Sequence, residues 1–300
     1  MSTPYITPDI LINAPTGISW ETIPDFGSSL TAQLAEQTNI CWRATHFIDS
    51  YCNQPLRATI DTEEVLGPDF RMTIDRNGLV RVVASRWPVT SVLSAKYSAA
   101  YVVPPQWQAI PANVMYVENS SVVDGEASVV GATGPSAILI SPGYATWAMG
   151  RRGVRLSLTY LNGYAHAGIL ANAQIGATTL SVDDCTGMAG QFMQIYDGAS
   201  TETVKVTSTS VASGPGAATL ETGLVYQHAA STQAPIIIST IPASVQQAAI
   251  FYATYVALTR GATATTVQTM PGASVGGSGV SGSALLDHAH DLLKPYRRVF

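Results

Sequence analysis

Few stretches of this sequence have residue types and spacing that could do chemistry. The most metal-like is "DHAHD" at 287–291. On a helix, His288 and His290 stand at i,i+2 and point apart, whereas paired imidazole ligands need i,i+4 on one face. Asp287 and Asp291 do stand at i,i+4, but two carboxylates alone repel. "VDDCTG", with Asp183 and Asp184, lacks the alternating oxygen ligands and closing glutamate of a calcium loop, and reads as a turn between strands. "GGSGVSG" holds serines in a glycine-rich linker, not on the strained strand-to-helix turn that a nucleophile needs. "GPGAATLETG" has glycines without the Lys-Ser/Thr pair or the following helix of a phosphate loop. His46 and His228 have no partner identifiable from spacing. The residues therefore point away from an enzyme and to no catalytic residue, metal or cofactor.

Arg151, Arg152 and Arg155 form the one compact basic cluster. It suits a polar rim, salt-bridged to an acidic partner, or a surface facing DNA phosphates. The net charge of -5 gives no basic footprint for gripping nucleic acid. Charged residues are 12% of the chain, about half the usual ~25%. That suits surfaces covered by neighbours. The three cysteines, Cys41, Cys52 and Cys185, contain no CxxC pair. Cys41 and Cys52 would lie roughly 16 Å apart along a helix, too far to bridge. Free thiols fit a chain made in a reducing cytosol. No stretch of ~18 apolar residues could span a bilayer, and the opening residues lack the basic and apolar regions of a signal peptide.

These groups must be positioned by a chain that changes character along its length. Residues 1–28 read as an extended arm, rich in Pro, Thr, Ser and Gly, that docks on its own domain or a neighbour. A helix over 29–53 follows, with Ser29 as N-cap and Leu30, Leu34, Cys41, Ile48 and Cys52 near one face. Trp42 and Phe47 widen the apolar surface toward packing on two sides. Next comes a strand tract. Asn77-Gly78 marks a hairpin between Met72/Ile74 and Val80/Val82. Trp87-Pro88 interrupts the run before a strand near Val89, and a further strand spans 154–160.

Residues 165–235 then form a self-contained β pattern. "TTLSV", "QFMQIY", "TETVKVTSTS" and "ATLETGL" read as short strands between Gly and Asp turns, the signature of a small antiparallel sandwich or barrel. Helix returns at "IPASVQQAAIFYATYVALTRG", with Val245, Ala248, Ala249, Tyr252 and Val256 on one face. A Gly/Ser/Thr linker over 261–282 leads to a short helix from 283 to 293. One β module thus interrupts a helix–sheet–helix domain, and inserting it at a loop is thermodynamically tolerable.

The order of "FIDSYCNQPL", "WPVTSVLSAKYS", "VRLSLTYLNGY", "IPASVQQAAIFYATYVALTRG" and "LLKPYRRVF" resembles the head-to-tail adaptor, or connector, of long-tailed bacteriophages. In that family an "xIDxYC"-like helix end precedes strands with a "PV.SV" phrase. A "TY..GY" strand, an "IP..V..A" helix start and a terminal "LL.PYRR" follow. The resemblance covers roughly 29–164 and 236–300. Typical small adaptors lack the inserted module.

The resemblance implies an α+β chain: a helical adaptor core with a small antiparallel sheet, interrupted by an inserted all-β module. It further implies a structural virion protein and no enzyme. Subunits would close by heterologous contacts into a ring, expected to be dodecameric. The ring would dock on the portal protein, meet a tail terminator or the next neck protein, and leave an open channel. Double-stranded DNA would pass transiently and without sequence preference during genome ejection, and an acidic balance would not retard it. The subunit would be made in the host bacterial cytoplasm and reside at the head–tail interface of the virion, with no membrane partner.

In the closing segment, Pro295 ends the helix, Tyr296 and Phe300 offer aromatic anchors, and Arg297 and Arg298 offer forked donors beside Val299. These six residues are the expected contacts to portal or to the next subunit; the competing reading folds them back on their own core. An alternative function is another neck, tail-completion or decoration protein whose β module meets capsid or host. A third, a carbohydrate-binding or hydrolytic protein, would use Trp107, Tyr116 and Trp147 as aromatics and would need a carboxylate pair that the sequence does not show.

Overall fold

A computed structural model describes residues 3–18, 20, 29–67, 70–74, 78–119, 135–141, 153–230, 235–260 and 282–298. The chain divides into two compact units. One is Leu56–Tyr164 with Arg298–Phe300; the other is Met1–Pro55 with Ala165–Arg297.

The unit of Leu56–Tyr164 is built from β1 (Thr59–Leu66), β2 (Met72–Ile74), β3 (Val80–Val83), β4 (Val89–Ala99), β5 (Gln108–Ile110), β6 (Met115–Asn119), β7 (Ser136–Ile140) and β8 (Val154–Asn162). They form two four-stranded antiparallel sheets, ordered β1-β8-β4-β5 and β2-β3-β7-β6. Strand side chains alternate between faces, so each sheet has one apolar face to cover. In β8 the alternation is complete: Val154, Leu156, Leu158 and Tyr160 are buried and the residues between them are half-exposed. They share a core with Val80, Val82, Ile138 and Ile140 of the other sheet. The β2–β3 hairpin pairs Ile74 with Val80, and Gly78 takes the positive φ (80°) that its turn requires. Asn77 and the other loop residues at 75–76 lie outside the described residues. Ile74, expected to share the buried face with Met72, is exposed at the hairpin end.

The second unit combines helices with a third sheet. The helices are α1 (Pro8–Asn13), α2 (Leu30–Cys52), α3 (Ala243–Thr259) and α4 (Gly282–Leu293). Ser29 caps α2, its side chain accepting from Ala32 N. Asn53 closes the helix in the left-handed region (φ 55°), donating its N–H to the Asp49 and Ser50 carbonyls. α3 packs against both α2 and α4. Its buried stripe is short-chained, with Ala248, Ala249, Ala253 and Ala257, which lets helix axes approach closely. Ile40, Cys41, Ala44, Ile48 and Cys52 form the buried face of α2, while Leu30 in its first turn is exposed.

The third sheet has six strands: β9 (His166–Gly168), β10 (Thr179–Val182), β11 (Phe192–Tyr196), β12 (Glu202–Thr209), β13 (Gly216–Leu220) and β14 (Ile237–Ser239). Their order is β10-β13-β12-β11-β14-β9. The two edges then meet. Ile169 bridges Val182, Leu170 N–H donates to Ser181 O (2.9 Å) and Asp183 N–H to Gly168 O (3.0 Å). The sheet is therefore a small closed barrel, which removes its edges. Leu180, Val182, Met188, Met193, Ile195, Val204, Val206 and Ile238 fill it. Its ends lie side by side: Thr240 N–H donates to Ala165 O at 2.8 Å.

A helical adaptor core with a small antiparallel sheet is not what this chain forms. Only 29% of the described residues are helical, in four helices and short 3-10 turns, against three sheets. In the strand tract of 56–164, β3, β6 and β8 alternate with period two, and half-buried strands need a second sheet to cover them.

Candidate interaction surface

Segments distant in sequence converge around Tyr296. The last helix ends at Leu293 and tightens into a 3-10 turn over Lys294–Tyr296, with Pro295 in its first turn. Tyr296 is buried, at 6% exposure. Its phenol lies 2.8 Å from Ser244 Oγ at the start of α3, and its carbonyl accepts from Gln54 Nε2 (3.1 Å) just beyond α2. Burial pushes the Tyr296 phenol above its ordinary range, and the Ser244 bond only partly offsets that.

Beside it runs a ladder of half-buried rings. Tyr51 stacks on His290 (4.4 Å, 11°), and Phe47 stacks on Tyr252 (4.1 Å, 13°) and more distantly on His290 (5.5 Å). The exposed Arg297 guanidinium lies 5.3 Å from the Tyr51 ring centroid, in cation–π range. Beneath them the Cys52 thiol is pushed up to about 12, first by burial and then by Asp49, with Arg297 opposing. It is a packing group, not a nucleophile. Burial raises the Cys41 thiol further. All three cysteines are free and buried. The surface can offer aromatic faces and a forked cation to a partner, which are interface chemistries.

Each expected contact residue has a definite place. Pro295 and Arg297 are exposed, Arg298 is half-buried, and Tyr296 is committed to its own chain. Val299 and Phe300 lie outside the described residues, as do Arg151 and Arg152. Arg155 is half-buried on β8, opposite Leu66 and Ser98. His288 is exposed near Phe251, and Asp291 pairs with Lys294 (2.6 Å) at the surface. Among the described residues no group of three or more His, Cys, Asp or Glu could hold a metal, and no helix is long and apolar enough to cross a membrane. Tyr116 is exposed on β6, Trp107 is half-buried, and Trp147 lies outside the described residues.

The arm docks on its own unit over residues 3–13. Thr3 donates to Asp183 Oδ2 (2.6 Å), whose Oδ1 accepts from Gly168 N (2.6 Å). The Pro4 carbonyl meets His166 Nε2 (3.0 Å), while Tyr5 N–H donates to Thr45 Oγ1 (2.9 Å) and its phenol to Asp49 (2.5 Å). Thr7 then caps α1. The acidic pair of "VDDCTG" is thus consumed in structure: Asp183 holds the arm, and Asp184 accepts from Thr186 and Gly214. Thr186 is a local partner of Asp184, but Thr3, Pro4 and Gly214 lie too far along the chain from their partners for sequence reading to find them.

Compared with known proteins, the chain matches no family model, no curated protein and no solved structure.

Proposed function

We propose that this chain is a structural subunit of a long-tailed bacteriophage neck. In this reading it forms a ring that joins the portal to the tail and leaves an open channel for the genome. The supporting observation is spatial. The helix end "FIDSYCNQP", the helix start "IPASV" and the close "LLKPYRR" are far apart in sequence, yet Gln54 and Ser244 from the first two both bond to Tyr296 from the third. The other two phrases pair as well, since β4 and β8 lie side by side and Gly163 N–H donates to Pro88 O (2.8 Å). The ladder of Phe47, Tyr51, Tyr252 and His290, edged by Arg297, is the surface this reading gives to a portal or neighbouring subunit. Sedimentation velocity of the full-length protein, alone and with purified portal rings, tests it. Ring-sized species or portal-bound species are expected; a monomer that leaves portal unchanged overturns the reading.

A second reading, a neck or tail-completion protein whose barrel meets capsid or host, draws on the apolar side chains exposed at the barrel. Leu170, Ile175, Val225 and Phe192 are each more than half exposed. Removing the barrel separates the two, because portal attachment survives only in the first.

A further inference from the structure

His228 is fully buried, yet both its ring nitrogens face carboxylates. Nδ1 lies 2.8 Å from Asp197 Oδ2 and Nε2 lies 2.9 Å from Glu202 Oε1. A neutral imidazole carries one N–H and one lone pair, so only the imidazolium can donate to both. Glu202 also accepts the backbone N–H groups of Val225 and Tyr226, each at 3.0 Å. Burial pushes its carboxyl up, but the two amides and His228 together hold it below the ordinary glutamate range. Among the described residues, the ionisable groups facing His228 are Asp197, at the turn after β11, and Glu202, at the start of β12. Ala173 brings backbone only, exchanging both bonds with His228 at 2.8 Å. Lys205 and Glu221 pair with each other at the surface (2.7 Å).

These contacts bear on one loop, residues 221–230. Its other ties include backbone bonds, Glu221 N–H to Lys205 O (2.9 Å), Gly176 N–H to Leu224 O (2.8 Å) and Leu224 N–H to Ala177 O (3.1 Å). The loop presents Val225 (64% exposed) and Tyr226 (43%), with Ile175 (69%) on the segment it bonds. Leu224 is buried in the barrel core and pins the loop at that point; beyond it Val225 and Tyr226 face solvent, and the buried charges beneath hold that part down.

We propose that His228, Asp197 and Glu202 form a proton-gated latch on the 221–230 loop, closed only while the imidazole is charged and both carboxylates are ionised. Protonating Glu202 removes an acceptor shared by two backbone amides and the ring. Deprotonating His228 turns a lone pair toward a carboxylate in a buried site, which is repulsive. The loop therefore opens toward acid and toward alkali while the barrel stays closed. This inference does not depend on the proposed function.

Amide hydrogen exchange of Val225 and Tyr226 in the full-length protein, corrected for intrinsic rates and followed against pH, tests the latch. Val204, inside the barrel on β12, is the reference. Protection of the two loop amides is expected to be bell-shaped in pH, with Val204 unchanged. Glu202→Gln should lower loop protection at neutral pH by at least about tenfold and flatten the acid limb. Asp197→Asn, at a more exposed position, should weaken the loop less and keeps the test readable if the Glu202 variant fails to fold. Nitrogen NMR of the ring should show both nitrogens protonated at the protection maximum. Flat loop protection, loss in parallel with Val204, or a neutral ring at that maximum would each overturn the latch.

Discussion

The phenol of Tyr296 and the hydroxyl of Ser244 lie 2.8 Å apart across 52 positions of sequence, joining the end of the chain's last helix to the start of the one before it. With the Gln54 bond to the Tyr296 carbonyl, this makes one tyrosine the tie between three helices. Tyr296→Phe keeps the packing and removes one buried bond. It should cost about 1 kcal/mol in urea denaturation. Tyr296→Ala removes the ring as well and should cost about 3–5 kcal/mol.

Arg297 has a different role. It is exposed and rests on the Tyr51 face, a contact that contributes only about 0.5–1 kcal/mol at such a site. Arg297→Ala should leave the denaturation midpoint nearly unchanged. Under the proposed function it should sharply reduce capture on immobilised portal rings. Equal capture by the wild type and the variant would remove Arg297 from the interface.

Tyr5 anchors the arm, fully buried and bonded through both its amide and its phenol. Tyr5→Ala should destabilise the unit of Met1–Pro55 and Ala165–Arg297 by about 3–5 kcal/mol. Tyr5→Phe, which loses only the Asp49 bond, should cost about 1.5–3 kcal/mol because that partner is charged. Thermal unfolding of the two variants gives the ordering.

While the barrel stays closed, acid should weaken the 221–230 loop through Glu202. Its folded-state pKa is depressed, so its contribution is complete above the unfolded value, about 4.3. That contribution is lost as pH falls through the lower folded value. Protection of the Val225 and Tyr226 amides measured from pH 6 downward should fall for the wild type, and less steeply for Glu202→Gln, which has no carboxyl to titrate.

Much of this fold was legible. The Ser29 cap and the Gly78 hairpin are local signals, and each governs a handful of neighbouring residues. The strands β10 to β13 were legible for the same reason, since Gly187, Gly190 and Gly214 take positive φ in the turns between them. The sheet's other two strands, β9 and β14, were not. "IIS" is buried throughout and shows no alternation from which to read a strand. β1 was hidden differently. "TIDTEEVL" carries three acids that look like loop, and only Val65 is buried. The acids are accommodated because Arg86 pairs with Asp61 and Arg71 with Glu63.

The sites followed the same division. His228 reads as an isolated histidine because its carboxylates lie 31 and 26 positions away, beyond any local spacing rule. Tyr296 reads as a free anchor because nothing in "KPYRR" reveals Ser244 or Gln54. A long-range hydrogen bond leaves no period in the sequence, so the expected exposed tyrosine became a buried one.

The barrel offers a separable test, because its ends are already neighbours through the Ala165–Thr240 bond. A chain with Ala165 joined to Thr240 should keep the three-helix contacts around Tyr296 and the Tyr5 bonds to Thr45 and Asp49, but lose the arm's ties through Thr3 and Pro4, since His166, Gly168 and Asp183 go with the barrel. Circular dichroism should show the helices retained at a lowered melting temperature.

The most direct test of the proposed function is sedimentation velocity of the full-length protein with and without purified portal rings. Ring-sized or portal-bound material is expected, abolished in the Tyr296→Ala variant and sharply reduced in Arg297→Ala. A wild-type chain that sediments as a monomer and leaves the portal boundary unshifted would contradict the proposed function.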